Sequence, residues 1–321
     1  MKAPSTLQNA VQYFTEFENC RQFMVALRWP DGKVKCPACS SERVTYLEKA
    51  RLYKCNEKHA KQKFSLKVGT VFEDSPIPLE KWLPAVWMLV TCKNGVSSYE
   101  IHRALGVTQK SAWFMLHRIR LAVHDIDGEK IDGGGGPIET DETFVGGKKR
   151  NMHKERRIRY QAKHGNHAKS VVLGMLERDK KRVRAQVIPD VTAATLRSAV
   201  RAHVAPHSWL MTDDAGAYDN MPEYVRDIIN HNEAYVNGHI HTQGIENFWS
   251  LLKRGLSGTY VSVEPFHLHR YVDEQVFRYN NRATKDNALT DADRFDLALS
   301  QIVNKRLTYA ELTGKVGETI N

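Results

Sequence analysis

At 321 residues, with 26% charged and 41% hydrophobic side chains, the chain has a soluble globular composition and room for one large core or two to three domains. A formal charge of +10 points to a polyanionic partner, with nucleic acid ahead of anionic lipid because no basic amphipathic anchor stands out. No apolar run is long enough to cross a bilayer, the opening residues lack a secretion signal, and five cysteines are too few and uneven for a disulfide framework, so a cytoplasmic protein is expected.

Three of those cysteines cluster. "KCPACSS" and "YKCNEKHAKQKFSL" give Cys36-x2-Cys39, then Cys55-x3-His59. Two such knuckles suit a tetrahedral Zn²⁺ site closed by soft thiolates and an imidazole. A ribbon this small has little core, so the metal supplies its folding energy. Cys20 and Cys92 sit in apolar surroundings and read as packing residues.

Next, "PLEKWLPAVWMLVTCKNGVSSYEIHRALGVTQKSAWFMLHRIRLAVHD" predicts three helices. The first runs from about Leu79 to Cys92. The second is opened by a Ser97/Glu100 capping box and closed at Gly106. Thr108 caps the third, whose stripe is Ala112, Met115, Leu116 and Ile119. Helix, short glycine-bearing turn, helix is a helix-turn-helix arrangement, and it leaves Lys110, Arg118 and Arg120 to meet phosphates or base edges. A plain three-helix bundle with a solvated basic face is the competing reading. Gly133 to Gly136 then read as a flexible joint.

"IETDETFVGG" places Glu139, Asp141 and Glu142 in a stretch that otherwise reads as a strand, where an ionised carboxylate needs a partner. Glu139 and Glu142 are expected to face solvent or pair with nearby Lys and Arg. The following run, 147–169, holds nine Lys or Arg against one acid and suits a phosphate backbone. Alternation resumes in "SVVLGMLERD" and "RVRAQVIPDV", Thr192 opens an amphipathic helix, and "HSWLMTDD" is a short strand ending in Asp213 and Asp214. The expected order is β-β-β-α-β followed by helices. In "NGHIHTQGIENFWSLLKRGLSG" the residues Ile245, Phe248, Trp249 and Leu252 form a buried helical stripe. Glu246 borders it, and Lys253 shares the Glu246 face two turns on. His239 and His241 read as lining a cleft rather than as ligands of a hard ion. "PFHLHRYVDEQVFRYNNR" reads as a helix packing Tyr271, Val272 and Phe277, with Arg270, Arg278 and Arg282 turned to DNA. One acid on the first strand, one ending the fourth and one on a later helix could together hold two divalent cations.

The order of these parts resembles the DDE transposases of bacterial insertion sequences, in particular the ISXO-like group. The likeness covers nearly the whole chain, through "RWPDGKVKCPACSS", "KVGTVFEDSPIPLEKW", "TDETFVGGKK", "MTDDAGAY", "HTQGIENFWSLLKRGLSGTY" and "HLHRYVDEQVFRYNNR". The resemblance implies a ribonuclease-H-like α/β fold, a mixed sheet with flanking helices, behind a zinc ribbon and a helix-turn-helix. Its implied layout is a zinc-ribbon region (1–75), a helix-turn-helix domain (76–130), a glycine linker (131–136), a catalytic domain (137–285) and a helical tail (286–321). Asp141, Asp213 and Glu246 match the three catalytic acids, which bind two Mg²⁺ or Mn²⁺, and Lys253 matches the basic position two turns later. Cys36, Cys39 and Cys55, with His59 in the fourth place, are the candidate structural zinc ligands. The implied activity is DNA cleavage at element ends and strand transfer, by a homodimer or larger assembly on DNA in the bacterial cytoplasm. A non-catalytic DNA-binding regulator and a nuclease without joining activity are the alternatives. Two positions depart from the group's pattern: the second knuckle is usually Cys-x2-Cys, and Gln243 stands where Asn is usual.

Overall fold

In the computed structural model, which describes residues 4–124, 128–146, 153–155, 158–159, 169–213, 216–229, 242–285 and 287–315, the chain divides into two units. Met1–His124 with Asn281–Asn321 form one; Asp125–Asn280 form the other. Among the described residues no helix is long and apolar enough to cross a membrane.

The first unit opens with α1 (Leu7–Phe14), capped by the Thr6 hydroxyl, and α2 (Phe17–Arg28). A three-stranded antiparallel ribbon follows, in the order β1 (Val44–Leu47), β2 (Leu52–Cys55), β3 (Lys63–Phe64). Helix α3 (Leu79–Thr91) buries Trp82, Leu83, Val86, Trp87, Leu89 and Val90. α4 (Ser98–Leu105) carries the expected Ser97/Glu100 capping box and ends at Gly106, whose φ of 58° is cheap for glycine. α5 (Gln109–Ala122) starts under the Thr108 hydroxyl and buries Ala112, Met115, Leu116 and Ile119. Gln109 Nε2 donates to Ser98 Oγ at 2.9 Å, which ties the starts of the two helices together.

The second unit is a sheet between two helical layers. Its strands are β4 (Pro137–Val145), β5 (Ser170–Glu177), β6 (Arg182–Ile188), β7 (Trp209–Asp213) and β8 (Val225–Ile229), in the order β6-β5-β4-β7-β8. The first three are antiparallel hairpin partners, whereas β7 and β8 join parallel to β4. Between β6 and β7 runs α6 (Ala193–His203), and the chain continues through α7 (Gln243–Arg254) and α8 (Leu268–Asn280). Along β5, Val171, Leu173 and Met175 pack on Leu196 and Val200 of α6, while Val172 and Leu176 pack on Ile245, Phe248 and Trp249 of α7. Period-two alternation therefore feeds two separate cores. This is the mixed α/β, ribonuclease-H-like arrangement expected from the sequence.

Strand β8 was not expected. It is an edge strand whose Val225 and Ile228 are 62% and 48% exposed around a polar Arg226-Asp227 pair, so it lacks the apolar run of a buried strand. The four glycines expected as a flexible joint contain a hydrogen-bonded turn. Gly133–Gly135 form one 3-10 turn at φ values of 75°, 60° and 95°, held by Asp132, which accepts from Gly134 N at 2.9 Å and from Lys180 Nζ at 2.8 Å.

After α8 the chain returns to the first unit with α9 (Asp291–Ser300) and α10 (Tyr309–Thr313). Phe295 of α9 is fully buried, its ring 5.7 Å from those of Phe14 and Phe23 and 5.1 Å from that of Trp87. Lys305 Nζ caps the end of α5 by donating to the carbonyls of Ala122 and His124. Arg118 donates to Leu307 O and Glu73 O and is 5% exposed; Arg120 is 1% exposed. Neither arginine is therefore available to DNA, because tertiary packing turned that face of α5 inward. Lys110 stays exposed, with its ammonium over the Tyr309 ring.

Phe295→Ala is expected to cost the first unit about 3–5 kcal/mol through lost burial and a cavity. Hydrogen exchange should show amide protection falling in α1, α3 and α9, with β4 to β7 unchanged.

Candidate active site and zinc centre

The zinc centre is built by two hairpin knuckles. Ser40 N donates to Cys36 O and Cys36 N to Ser41 O, closing the first; Cys55 N donates to Gln62 O in the second. Cys36 Sγ lies 3.4 Å from His59 Nε2, and Cys39 Sγ lies 3.6 Å from Cys55 Sγ. All four donor atoms fall within 4.8 Å of one another. Ligands around tetrahedral zinc stand about 3.5–3.8 Å apart, given Zn–S near 2.3 Å and Zn–N near 2.0 Å. The set fits that ion, with His59 as the fourth ligand. Burial pushes the Cys36 thiol up, but hydrogen bonds from the amides of Ala38 and Cys39 and from the neighbouring thiols bring it below its ordinary value, towards the thiolate a metal needs. Cys20 is buried, and its thiol, pushed up to about 12 by burial, donates to Phe14 O; it is a packing residue.

The acids lie in the second unit. On β4, Asp141 and Glu142 point to opposite faces. Asp141 faces α7, where its Oδ2 accepts from Trp249 Nε1 at 2.8 Å. It pairs with Gly174 of β5, and a Cβ there would stand 2.5 Å from the Trp249 ring, so only glycine admits the indole. Asp213 ends β7. Glu139 and Met211 are parallel partners on one face of the sheet, and two residues further along each strand come Asp141 and Asp213, again on one face. Arg226 of β8 fixes that strand end: Nε donates to Thr212 Oγ1 at 2.8 Å and a guanidinium NH₂ to Asp213 O at 3.1 Å. Glu246, in the first turn of α7, is exposed rather than turned across a core edge, and its carboxylate accepts from the Thr242 hydroxyl at 3.4 Å. Lys253 is exposed in the last turn of the same helix.

Burial, with the charges of Asp213 and Glu246 added to it, raises the Asp141 carboxyl above its ordinary value, against the opposing bonds from Trp249 and the Glu142 amide. The charges of β7 and α7 acids thus reach the β4 carboxyl of Asp141. Among the described residues only the cysteine–histidine set brings three or more such ligand atoms within 4.8 Å of one another. Two ions about 4 Å apart, each about 2.1 Å from its oxygens, allow outer ligands up to about 8 Å apart. A two-ion site would therefore draw its acids from a wider span than a single-ion cluster does.

Of the neighbouring acids, Glu139 is fully buried rather than solvent-facing and has the arginine partner expected as the other possibility: its carboxylate accepts from Arg178 Nε at 2.9 Å and, unforeseen, from the Ile245 amide at 2.8 Å. Among the described residues Glu142 has no Lys or Arg partner, and the Tyr218 hydroxyl donates to it. Burial and the charges of Asp213 and Asp141 push its carboxyl up to about 7 despite that bond. The period of a strand already puts Glu139 on the Asp141 face, which is the signal that could have been used. Arg278, expected to face DNA, is 8% exposed and bonded to Glu274 and Gln275, while Arg270 and Arg282 are half-buried. Asp214, His239, His241 and nearly all of the basic run 147–169 lie outside the described residues.

A mixed five-stranded sheet with flanking helices, with a zinc ribbon in the other unit, is the architecture that the resemblance to insertion-sequence transposases implies. Comparison with known families agrees: the ISXO2-like transposase domain matches residues 134–280, and the transposase zinc-ribbon domain matches residues 16–59. An uncharacterized protein in transposable element ISH50 of Halobacterium salinarum is 26% identical over 262 residues, covering 77% of this chain and 85% of that protein. An uncharacterized transposase-like protein of Haemophilus influenzae is 33% identical over 108 residues, 33% of this chain and 87% of that protein. The chain belongs to the ISXO2-like transposase family.

Zinc removal should unfold the ribbon alone. A strong chelator, or Cys55→Ser, is expected to release the metal to a chromophoric indicator and to abolish amide protection over residues 36–64, leaving the second unit's exchange pattern intact.

Proposed function

We propose that the chain cuts and joins DNA: it hydrolyses the phosphodiester at an element's end, exposing a 3′-hydroxyl, and directs that hydroxyl onto target DNA. In this reading Asp141, Asp213 and Glu246 hold two hard divalent cations, Mg²⁺ or Mn²⁺. When bound, such a pair activates the attacking oxygen on one side of phosphorus and stabilises the leaving oxygen on the other. The carboxylates fix where the phosphate sits, Trp249 holds Asp141 in orientation through its indole N–H, and Arg226 steadies the backbone of Asp213. Lys253, two turns beyond Glu246, contacts substrate phosphate near the cut. Both steps are in-line displacements with no covalent protein intermediate. The ribbon and the helices around Lys110 recognise terminal repeats, residues 147–169 grip phosphates, and two copies act together because two ends are joined.

The observation that supports this reading is geometric: Asp141 and Asp213 stand two residues beyond the parallel partners Glu139 and Met211, and Trp249 of the helix that carries Glu246 donates to Asp141. A regulator that only bound DNA would have no use for that arrangement, whereas a nuclease without joining would use the same acids.

Labelled terminal-repeat DNA incubated with the protein and Mg²⁺ separates the three: joined products support the proposal, cleavage alone supports the nuclease, and binding alone the regulator. Asp141→Ala is expected to retain binding and to lose cleavage by about a thousandfold or more. Normal cutting by that variant would remove Asp141 from the mechanism.

A further inference from the structure

We propose that Glu139 is a positioning residue whose buried carboxylate caps the first turn of α7 and thereby sets where Glu246 stands relative to Asp141. The inference rests on the reading of Asp141, Asp213 and Glu246 as the reacting acids.

Helix α7 lacks a cap of its own. Thr242, at its N-terminus, makes no side-chain capping bond, and its hydroxyl is turned to the Glu246 carboxylate instead. A first-turn amide left without a partner in a buried setting is costly. The Ile245 amide finds its acceptor across the layer, in Glu139 Oε2 at 2.8 Å. A carboxylate at that end also complements the helix dipole. Glu139 is in turn held by Arg178, whose Nε donates to Oε1 at 2.9 Å and whose terminal NH₂ reaches the Met211 sulfur at 3.2 Å.

Gly244 is the second observation. A Cβ at this position would stand 2.8 Å from Glu139 Oε2 and 3.1 Å from Oε1, so the helix approaches the carboxylate only because no side chain intervenes. The anchorage is also double. Glu139 takes the Ile245 amide, and Asp141, two residues along the same face of β4, takes Trp249 Nε1, one turn further along α7. Glu246 is the residue directly after the first anchor. If the first turn frays or slides, Glu246 moves while Asp141 stays with its strand, and ion sites tolerate only about 0.5 Å of such error.

The test uses the full chain and two readouts. Exchange of the Ile245 amide, followed by NMR, reports the cap. Mn²⁺ affinity, measured from the free-ion electron paramagnetic resonance signal, reports the ring of acids without requiring turnover. Wild type should protect the amide. Glu139→Gln, which keeps an acceptor oxygen, should retain protection and bind Mn²⁺ within a few-fold of wild type. Glu139→Ala and Gly244→Ala should both lose protection and weaken Mn²⁺ binding by about tenfold or more. Gly244→Ala leaves the Glu139–Arg178 pair in place, so it decides the matter should Glu139→Ala not fold. Retained protection in Gly244→Ala and Glu139→Ala would overturn the cap. Lost protection with unchanged Mn²⁺ affinity would overturn the positioning role. Wild-type protein that binds Mn²⁺ but never cleaves terminal-repeat DNA would sink the proposed function and leave the cap standing.

Discussion

The central strand of the second unit carries three carboxylates within four residues, and its neighbours are arranged by how each acid is accommodated. An ionised carboxylate left unpaired in a protein interior costs several kcal/mol, comparable to a large share of a domain's net stability. β4 handles its three acids differently. Glu139 receives a guanidinium and a helix amide, and Glu142 receives a tyrosine hydroxyl. Asp141 receives one indole N–H and, in addition, the charges of two further acids. Glu139 alone of the three has a guanidinium partner among the described residues, whereas burial and like charge raise the carboxyls of both Asp141 and Glu142 against the bonds they accept.

That constraint shapes the packing around it. Gly174 has no side chain because the Trp249 ring must pass over it to reach Asp141, and Gly244 has none because the helix must come within bonding distance of Glu139. Both glycines weaken the elements that hold them, since each costs conformational entropy relative to alanine. The surrounding core offsets this: Ile245, Phe248, Trp249 and Leu252 of α7 are buried against β5 and α8. The first unit has a different balance. Its ribbon is short, and the cysteine–histidine set supplies the cross-link that three strands of two to four residues cannot. Its helices are closed by the returning C-terminal segment through Phe295 and Lys305.

Much of this was legible in the sequence where local rules dominate. The Ser97/Glu100 capping box, the Thr108 and Thr192 caps, the 3.6-residue stripe of α7 and the zinc knuckles are signals within a few residues, and each is found in the fold. What failed depended on distant partners. Arg118 carries the charge of a DNA-facing surface, yet it is buried against the carbonyls of Leu307 and Glu73, which no local period reveals; Arg278 instead pairs with Glu274 one helical turn back, a spacing that was legible. The glycines 133–136 read as slack because composition cannot show that Asp132 and Lys180 hold the turn. β8 was missed because an edge strand half in water needs no apolar run.

The candidate site shows the same division. Asp141, Asp213 and Glu246 could be picked from the acids only through resemblance, because a strand, a strand end and a helix turn give no sequence spacing that links them. Their physical relation is long-range, and it becomes visible as electrostatics: Asp213 and Glu246 raise the Asp141 carboxyl, and Asp213 with Asp141 raises that of Glu142. Like charges drawn together at the end of a parallel strand pair destabilise the fold unless something positive joins them. A hard divalent ion, which takes oxygen ligands from several chain segments at once, relieves that repulsion in a way a single lysine cannot, because its charge sits within coordination distance of several acids simultaneously. Under the proposed function, the like charge that raises the Asp141 carboxyl is what such ions would relieve.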